Sequence, residues 1–177
     1  MSDILQAIEA RSSTRGYTAE KLTAQELDIL IKAGLRAPTA ANKQEIHITV
    51  VDGSNPILAE LQEEMLKGTG KTPAQNFYYG APTLLILSGD ANFGWSPVDA
   101  GIAVENIALA AEGLGLGNLI IGCIKGAMNG ERQAEFAQKL KLPEGYRFEV
   151  AIAVGHKAVE KAPHEFDYEK NVTFIEG

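Results

Sequence analysis

The chain is short of sulfur, of positive charge and of long apolar runs. Its single cysteine, Cys123, excludes an internal disulfide. No apolar stretch reaches the roughly 20 residues that a membrane-spanning helix needs. Acidic residues outnumber basic ones by 23 to 16, giving a net charge of −7. That excess argues against nucleic acid or an anionic membrane as the main partner. The three histidines, His47, His156 and His164, lack metal-ligand spacing, so no metal site is expected. There is no G-x-S-x-G elbow, no G-x-G-x-x-G fingerprint opening a helix after a strand, and no phosphate-binding loop. The stretch "GTGKT" at 68–72 comes near the last of these but lacks its spacing and a preceding strand. Repeats and low-complexity segments are also missing. The opening "MSDILQAIEA" has neither the basic start nor the apolar run of a secretory signal, so a cytoplasmic location is expected.

What remains is a 177-residue chain with 45% hydrophobic residues, enough to bury one core without staples. A single domain over 1–177 is expected. A short helix over 2–10 carries Ile4, Leu5 and Ile8 on one face, with Ser2 or Asp3 as its cap. Thr23 and Glu26 form a T-x-x-E capping box for a second helix, which Pro38 stops. "EIHITVVD" reads as a strand. Pro56 opens a third helix running to about Lys67, and "KGTGKTP" follows as a surface loop.

"APTLLILSGD" is an apolar run of strand length, so burial on both faces is expected. Ser96-Pro97 opens the longest helix, apolar nearly all round, which should be central and buried. "GLGLG" ends it at 113–117. "NLIIGCI" is a third strand, 129–141 an amphipathic helix ending at Pro143, and "RFEVAIAVGH" a fourth strand. Residues 157–177 are polar and then close on "VTFI", a short strand pattern that could add to a neighbour. Helices and strands alternate, so the fold class is mixed α and β around a single sheet.

Three clusters carry candidate chemistry. "RSSTR" gathers Arg11, Ser12, Ser13 and Arg15 just past the first helix. The bland reading is a solvated turn with Arg11 favouring the helix C-terminus. The sharper one is an oxyanion site, since guanidinium forks match phosphate bidentately. "RAPTAANKQEIHI" offers Thr39, Asn42, Lys43 and Gln44 in one loop. Such residues suit turns, but that does not explain so many amides and hydroxyls together. "LGLGNLIIGCIKG" places Gly122 at a strand end, where backbone can approach a flat ligand. Cys123, among apolar neighbours, reads as a buried and inert thiol. Asp99 reads as a helix first-turn residue rather than an acid catalyst. Trp95 and the Tyr78-Tyr79 pair read as core or pocket wall.

In order, these clusters resemble the nitroreductase family of FMN-dependent enzymes. R-x-S-x-R stands here as Arg11, Ser13 and Arg15. A-P-S-x-x-N-x-Q stands as Ala37, Pro38, Thr39, Asn42 and Gln44. D-x-G-x-A and L-G-L-G stand as Asp99, Gly101, Ala103 and the run 114–117. Isoleucine-glycine at a strand end stands as Ile121-Gly122, and L-P-x-G-Y as Leu142, Pro143, Gly145 and Tyr146.

The resemblance implies an α+β fold with a central, mostly antiparallel sheet flanked by helices. It implies an intertwined homodimer with FMN at the interface and 157–177 as a swapped arm on the partner. Arg11 and Ser13, helped by Ser12, would hold the FMN phosphate. Arg15 would lie near the ribityl chain or pyrimidine edge, and Asn76 could reach the same edge. Pro38, Thr39, Ala40, Asn42 and Gln44 would belong to the loop that covers the ring from the other subunit. Ile121 and Gly122 would back the flavin, with the Gly122 N–H facing its hydride-accepting nitrogen. Lys161 or His164 would supply a late phosphate contact. The loop departs from the family where Pro-Trp is replaced by Glu45-Ile46, and the chain is short for the family, so the acceptor site is expected to be open.

The implied activity is reduction of nitroaromatics, quinones or flavins by NADH or NADPH in a ping-pong cycle, with no essential side-chain acid or base. A flavin carrier or sensor, or a specialised enzyme on the same scaffold, remains the alternative.

Overall fold

The computed structural model describes residues 3–177. Helix α1 (Asp3–Ala10) begins at Asp3, and the cap expected at Ser2 lies outside the described residues. Then follow α2 (Ala24–Leu35), β1 (His47–Asp52), α3 (Ile57–Leu66), β2 (Thr83–Asp90), α4 (Ser96–Gly113) and β3 (Leu116–Ile121). Short helices α5 (Lys125–Met128) and α6 (Gln133–Lys139) precede β4 (Tyr146–His156), and α7 (Tyr168–Asn171) lies in the C-terminal segment. The Thr23–Glu26 capping box is formed in both directions.

One four-stranded sheet has the order β1-β2-β4-β3, antiparallel at every pairing. Strand alternation sends Leu84 and Ile86 to one face and Leu85 and Leu87 to the other. The first face packs with Leu58 and Leu61 of α3 and Phe136 of α6. The second packs with Leu30 of α2 and Ala103, Ile107 and Ala111 of α4. Being covered on both sides is why the middle of β2, Leu84–Leu87, is continuously apolar.

Several expectations are corrected. β3 starts at Leu116, inside the expected glycine turn, and stops at Ile121, because Gly122–Ile124 already turn into α5. The helix expected over 129–141 is only Gln133–Lys139. Within this chain "VTFI" pairs with no strand. α4 is buried against the sheet and α2 but not all round, leaving Val98 and Ile102 exposed. Trp95 is 58% exposed and so is not core. Cys123 is exposed too, because the turn after β3 lifts it off the sheet.

Candidate functional site

The "RSSTR" segment leaves α1 as extended chain and runs beside β3. Ser13 bridges Asn118 in the parallel sense, and the Thr14 N–H donates to the Asn118 carbonyl at 2.8 Å. Thr14 is buried against Gly117, where a Cβ would sit 2.7 Å from the threonine Cγ2. Only glycine permits that approach. The Tyr17 hydroxyl donates to the Thr14 carbonyl at 3.2 Å, and its burial pushes its pKa well above the usual tyrosine value.

The two arginines go different ways. The Arg11 Nε lies 3.8 Å from Glu105 Oε1 on α4. The Arg15 guanidinium lies over Tyr79, 5.8 Å from the ring centroid. The Ser12 Oγ donates to the Lys161 carbonyl at 2.8 Å, tying the C-terminal segment to this one. His164 is simply exposed on that segment.

A cleft of about 640 Å³ opens at the end of β3. Arg15, Asn76, Tyr79, Ile121, Gly122 and Cys123 all line it. A Cβ placed on Gly122 meets nothing within 4 Å, so this strand end is open to a flat ligand. The Asn76 Oδ1 accepts from the Gly80 N–H at 2.9 Å, leaving its amide nitrogen to donate. Partial burial pushes the Cys123 thiol above its ordinary value, which keeps it protonated near neutral pH.

The second cluster is elsewhere in the chain. Thr39 and Gln44 line a separate cavity of about 220 Å³ with Gly34 and Ala103. The loop, with a 3₁₀ turn at Ala40–Asn42, holds three non-glycine residues in the left-handed region: Ala41 (φ 52°), Asn42 (φ 53°) and Gln44 (φ 52°). Such backbone persists only where surrounding contacts fix it. Asp99 does so, since both its carboxylate oxygens accept the Ala40 N–H. The Thr39 Oγ1 accepts from the Gln44 N–H at 2.9 Å, and the Gln44 Nε2 donates to Asn42 Oδ1 at 3.0 Å. Glu45, one of the departures from the family pattern, is buried and accepts from the Ser96 hydroxyl at 3.3 Å.

Within one chain, then, Arg15, Asn76, Ile121 and Gly122 share a cleft that Pro38, Thr39, Ala40, Asn42 and Gln44 do not line. Sequence reasoning placed Asp99 in the first turn of its helix but missed its grip on the loop. It also left Tyr79 open between core and wall and put Cys123 in the core. No group of three or more His, Cys, Asp or Glu side chains among the described residues could hold a metal ion.

A family model described as the nitroreductase family matches residues 8–156. The chain belongs to the nitroreductase family. A putative NADH dehydrogenase/NAD(P)H nitroreductase of Archaeoglobus fulgidus is 27% identical, with 94% of this chain and 92% of that protein covered. An FMN reductase [NAD(P)H] of Bacillus subtilis is 26% identical over 92% of this chain and 69% of its own length. Among solved structures, an FMN-bound nitroreductase from Desulfitobacterium hafniense superposes with a TM-score of 0.88, at 30% identity and over 99% of this chain and 100% of that one. An FMN-bound nitroreductase from Bacteroides fragilis gives 0.87 at 27% identity, with the same coverage. The likeness therefore extends past residues 8–156 to nearly the whole of this nitroreductase-family chain.

Proposed function

We propose that this chain is an FMN-dependent oxidoreductase. It takes electrons from NADH or NADPH and passes them to small acceptors such as nitroaromatics, quinones or another flavin. The observation that carries this reading is the single cleft joining Arg15, Asn76 and Gly122 at the end of β3. The residues fit the cofactor. Gly122 leaves room for a flat ring, Arg15 offers a cation, and Asn76 offers an amide donor.

Bound FMN would supply the hydride-accepting chemistry, and the chain's own groups would bind and orient it. Arg11, Ser12 and Ser13 would hold the phosphate, with Lys161 or His164 completing that end. Arg15 would favour negative charge on the pyrimidine edge. Nicotinamide and acceptor would occupy the same cleft in turn, which is a ping-pong cycle.

The working unit would be a homodimer of single-domain subunits. Ile4, Leu5 and Ile8 of α1, with Val98 and Ile102 of α4, expose apolar surface that a second copy would cover. Asn42 and its neighbours would then reach the partner's cleft. Phe174 and Ile175, 75% and 95% exposed, would dock residues 157–177 on the partner as an arm. We place the protein in the cytoplasm, where reduced nicotinamides are supplied.

The deciding experiment is the visible spectrum of purified protein, desalted after FMN is added. Retained flavin bands that bleach with NADH or NADPH support the enzyme. Retained bands that neither nicotinamide bleaches favour a flavin carrier or sensor. A colourless protein removes the flavin reading.

A further inference from the structure

The cleft is cationic in an acidic protein. Arg15 and Lys71 line it, and no carboxylate does, although acidic residues outnumber basic ones across the chain by 23 to 16. The lysine just before this loop is paired: Lys67 lies 3.4 Å from Glu64 and 3.8 Å from Glu131. Lys71 makes no such pair among the described residues.

Its position is built by the loop that follows α3. Gly68 and Gly70 take left-handed backbone, at φ 73° and 64°. Between them the Thr69 Oγ1 donates to the Leu66 carbonyl at 2.7 Å and accepts from the Lys71 N–H at 3.2 Å. "GTGKT" is therefore a turn that sets a lysine at the cleft, not a phosphate loop. Met65, Leu66 and Phe77 give the same cleft an apolar wall. Arg15 is assigned above to the cofactor, and Lys71 is left over.

We propose that Lys71 selects the electron acceptor. It favours flat aromatic acceptors that carry an anionic substituent such as a carboxylate, the ring lying on the apolar wall and the anion meeting the ammonium group. The inference rests on the flavin reading above. With a nitroaromatic, each turnover oxidises one NADH to NAD⁺. With one proton, it breaks one N–O bond, giving the nitroso compound and water.

The test compares kcat/KM for 4-nitrobenzoate with that for its neutral analogue 4-nitrobenzamide. FMN-loaded wild type, Lys71→Gln, Lys71→Glu and Lys71→Arg are assayed at low and high salt, and FMN is titrated into each. The benzoate-to-benzamide ratio should fall about two- to fivefold in Lys71→Gln, the scale of one exposed ion pair, and mostly through KM. It should fall further in Lys71→Glu, return in Lys71→Arg, and shrink in wild type as salt screens the contact.

An unchanged ratio with normal FMN binding overturns the inference alone. So does a change confined to FMN affinity, which makes Lys71 a cofactor contact, or one confined to the KM of the nicotinamide. Failure of the wild type to bind FMN overturns the flavin reading and this inference with it.

Discussion

The carboxylate of Asp99 accepts the backbone N–H of Ala40 with both oxygens, at 3.1 and 3.0 Å, and is itself only 2% exposed. This contact joins the first turn of α4 to the loop whose backbone is most strained. Asp99→Ala leaves a partly buried N–H unpaired and should cost about 1 to 3 kcal/mol of stability, while Asp99→Asn keeps one acceptor and should cost less. Urea unfolding checks both. Equal stability of Asp99→Ala and wild type would show that the loop holds itself.

Arg11→Ala should weaken FMN binding by about 1.5 to 3 kcal/mol, the scale of a charge-assisted hydrogen bond. Its partner in this chain is Glu105, at 3.8 Å and half exposed, a weak pair that phosphate can displace. Calorimetric titration gives the affinity directly. An unaltered Kd would move the phosphate away from "RSSTR".

Gly117 and Gly122 should separate folding from binding. Gly117→Ala drives a methyl to 2.7 Å from the Thr14 Cγ2, so it should lower stability by about 1 to 3 kcal/mol and disturb the segment carrying Ser13 and Arg15. Gly122→Ala meets nothing in the protein, so the fold should survive intact. A flavin lying against that strand end would still lose affinity. Thermal melts should fall only in Gly117→Ala, while Gly122→Ala should lose FMN affinity at an unchanged melting temperature.

Acid should weaken the ion-pair network in which Arg132 and Lys139 hold Glu135 within α6 and Glu60 across on α3. Hydrogen bonds from Arg132 first, then Lys139, pull Glu135 from an ordinary 4.5 down to about 2, and Lys139 chiefly holds Glu60 low. Their folded-state values are depressed. The contribution of Glu135 is therefore complete above pH 4.5 and fades as pH falls from there towards about 2, and that of Glu60 fades in the same direction. A melting temperature recorded against pH should drop across that window, and the drop should shrink in Glu135→Gln. Salt should shrink it as well, since these groups are exposed.

Cys123 should alkylate slowly at neutral pH and faster as pH rises, because partial burial keeps its thiol protonated. Bound FMN should slow it further, as the residue lines the same cleft as Gly122. Mass spectrometry of iodoacetamide-treated protein measures both effects. Labelling indifferent to FMN would place the flavin elsewhere.

The sequence by itself determined what depends on neighbours along the chain. The capping box at Thr23 and Glu26 is local hydrogen bonding. The apolar run Leu84–Leu87 in β2 announces a strand covered on both faces, and the ordered motifs from Arg11 to Tyr146 carry the family. Tertiary structure decided what depends on distant groups. No local signal says that Asp99 reaches Ala40 or that Gly117 must make room for Thr14. Nor does any put Tyr79 under the Arg15 guanidinium. Cys123 was misread for the same reason: its neighbours are apolar, but burial is set by where the chain turns after Ile121. The "VTFI" pattern has strand propensity, but a strand exists only where another backbone supplies its hydrogen bonds, and none within this chain does.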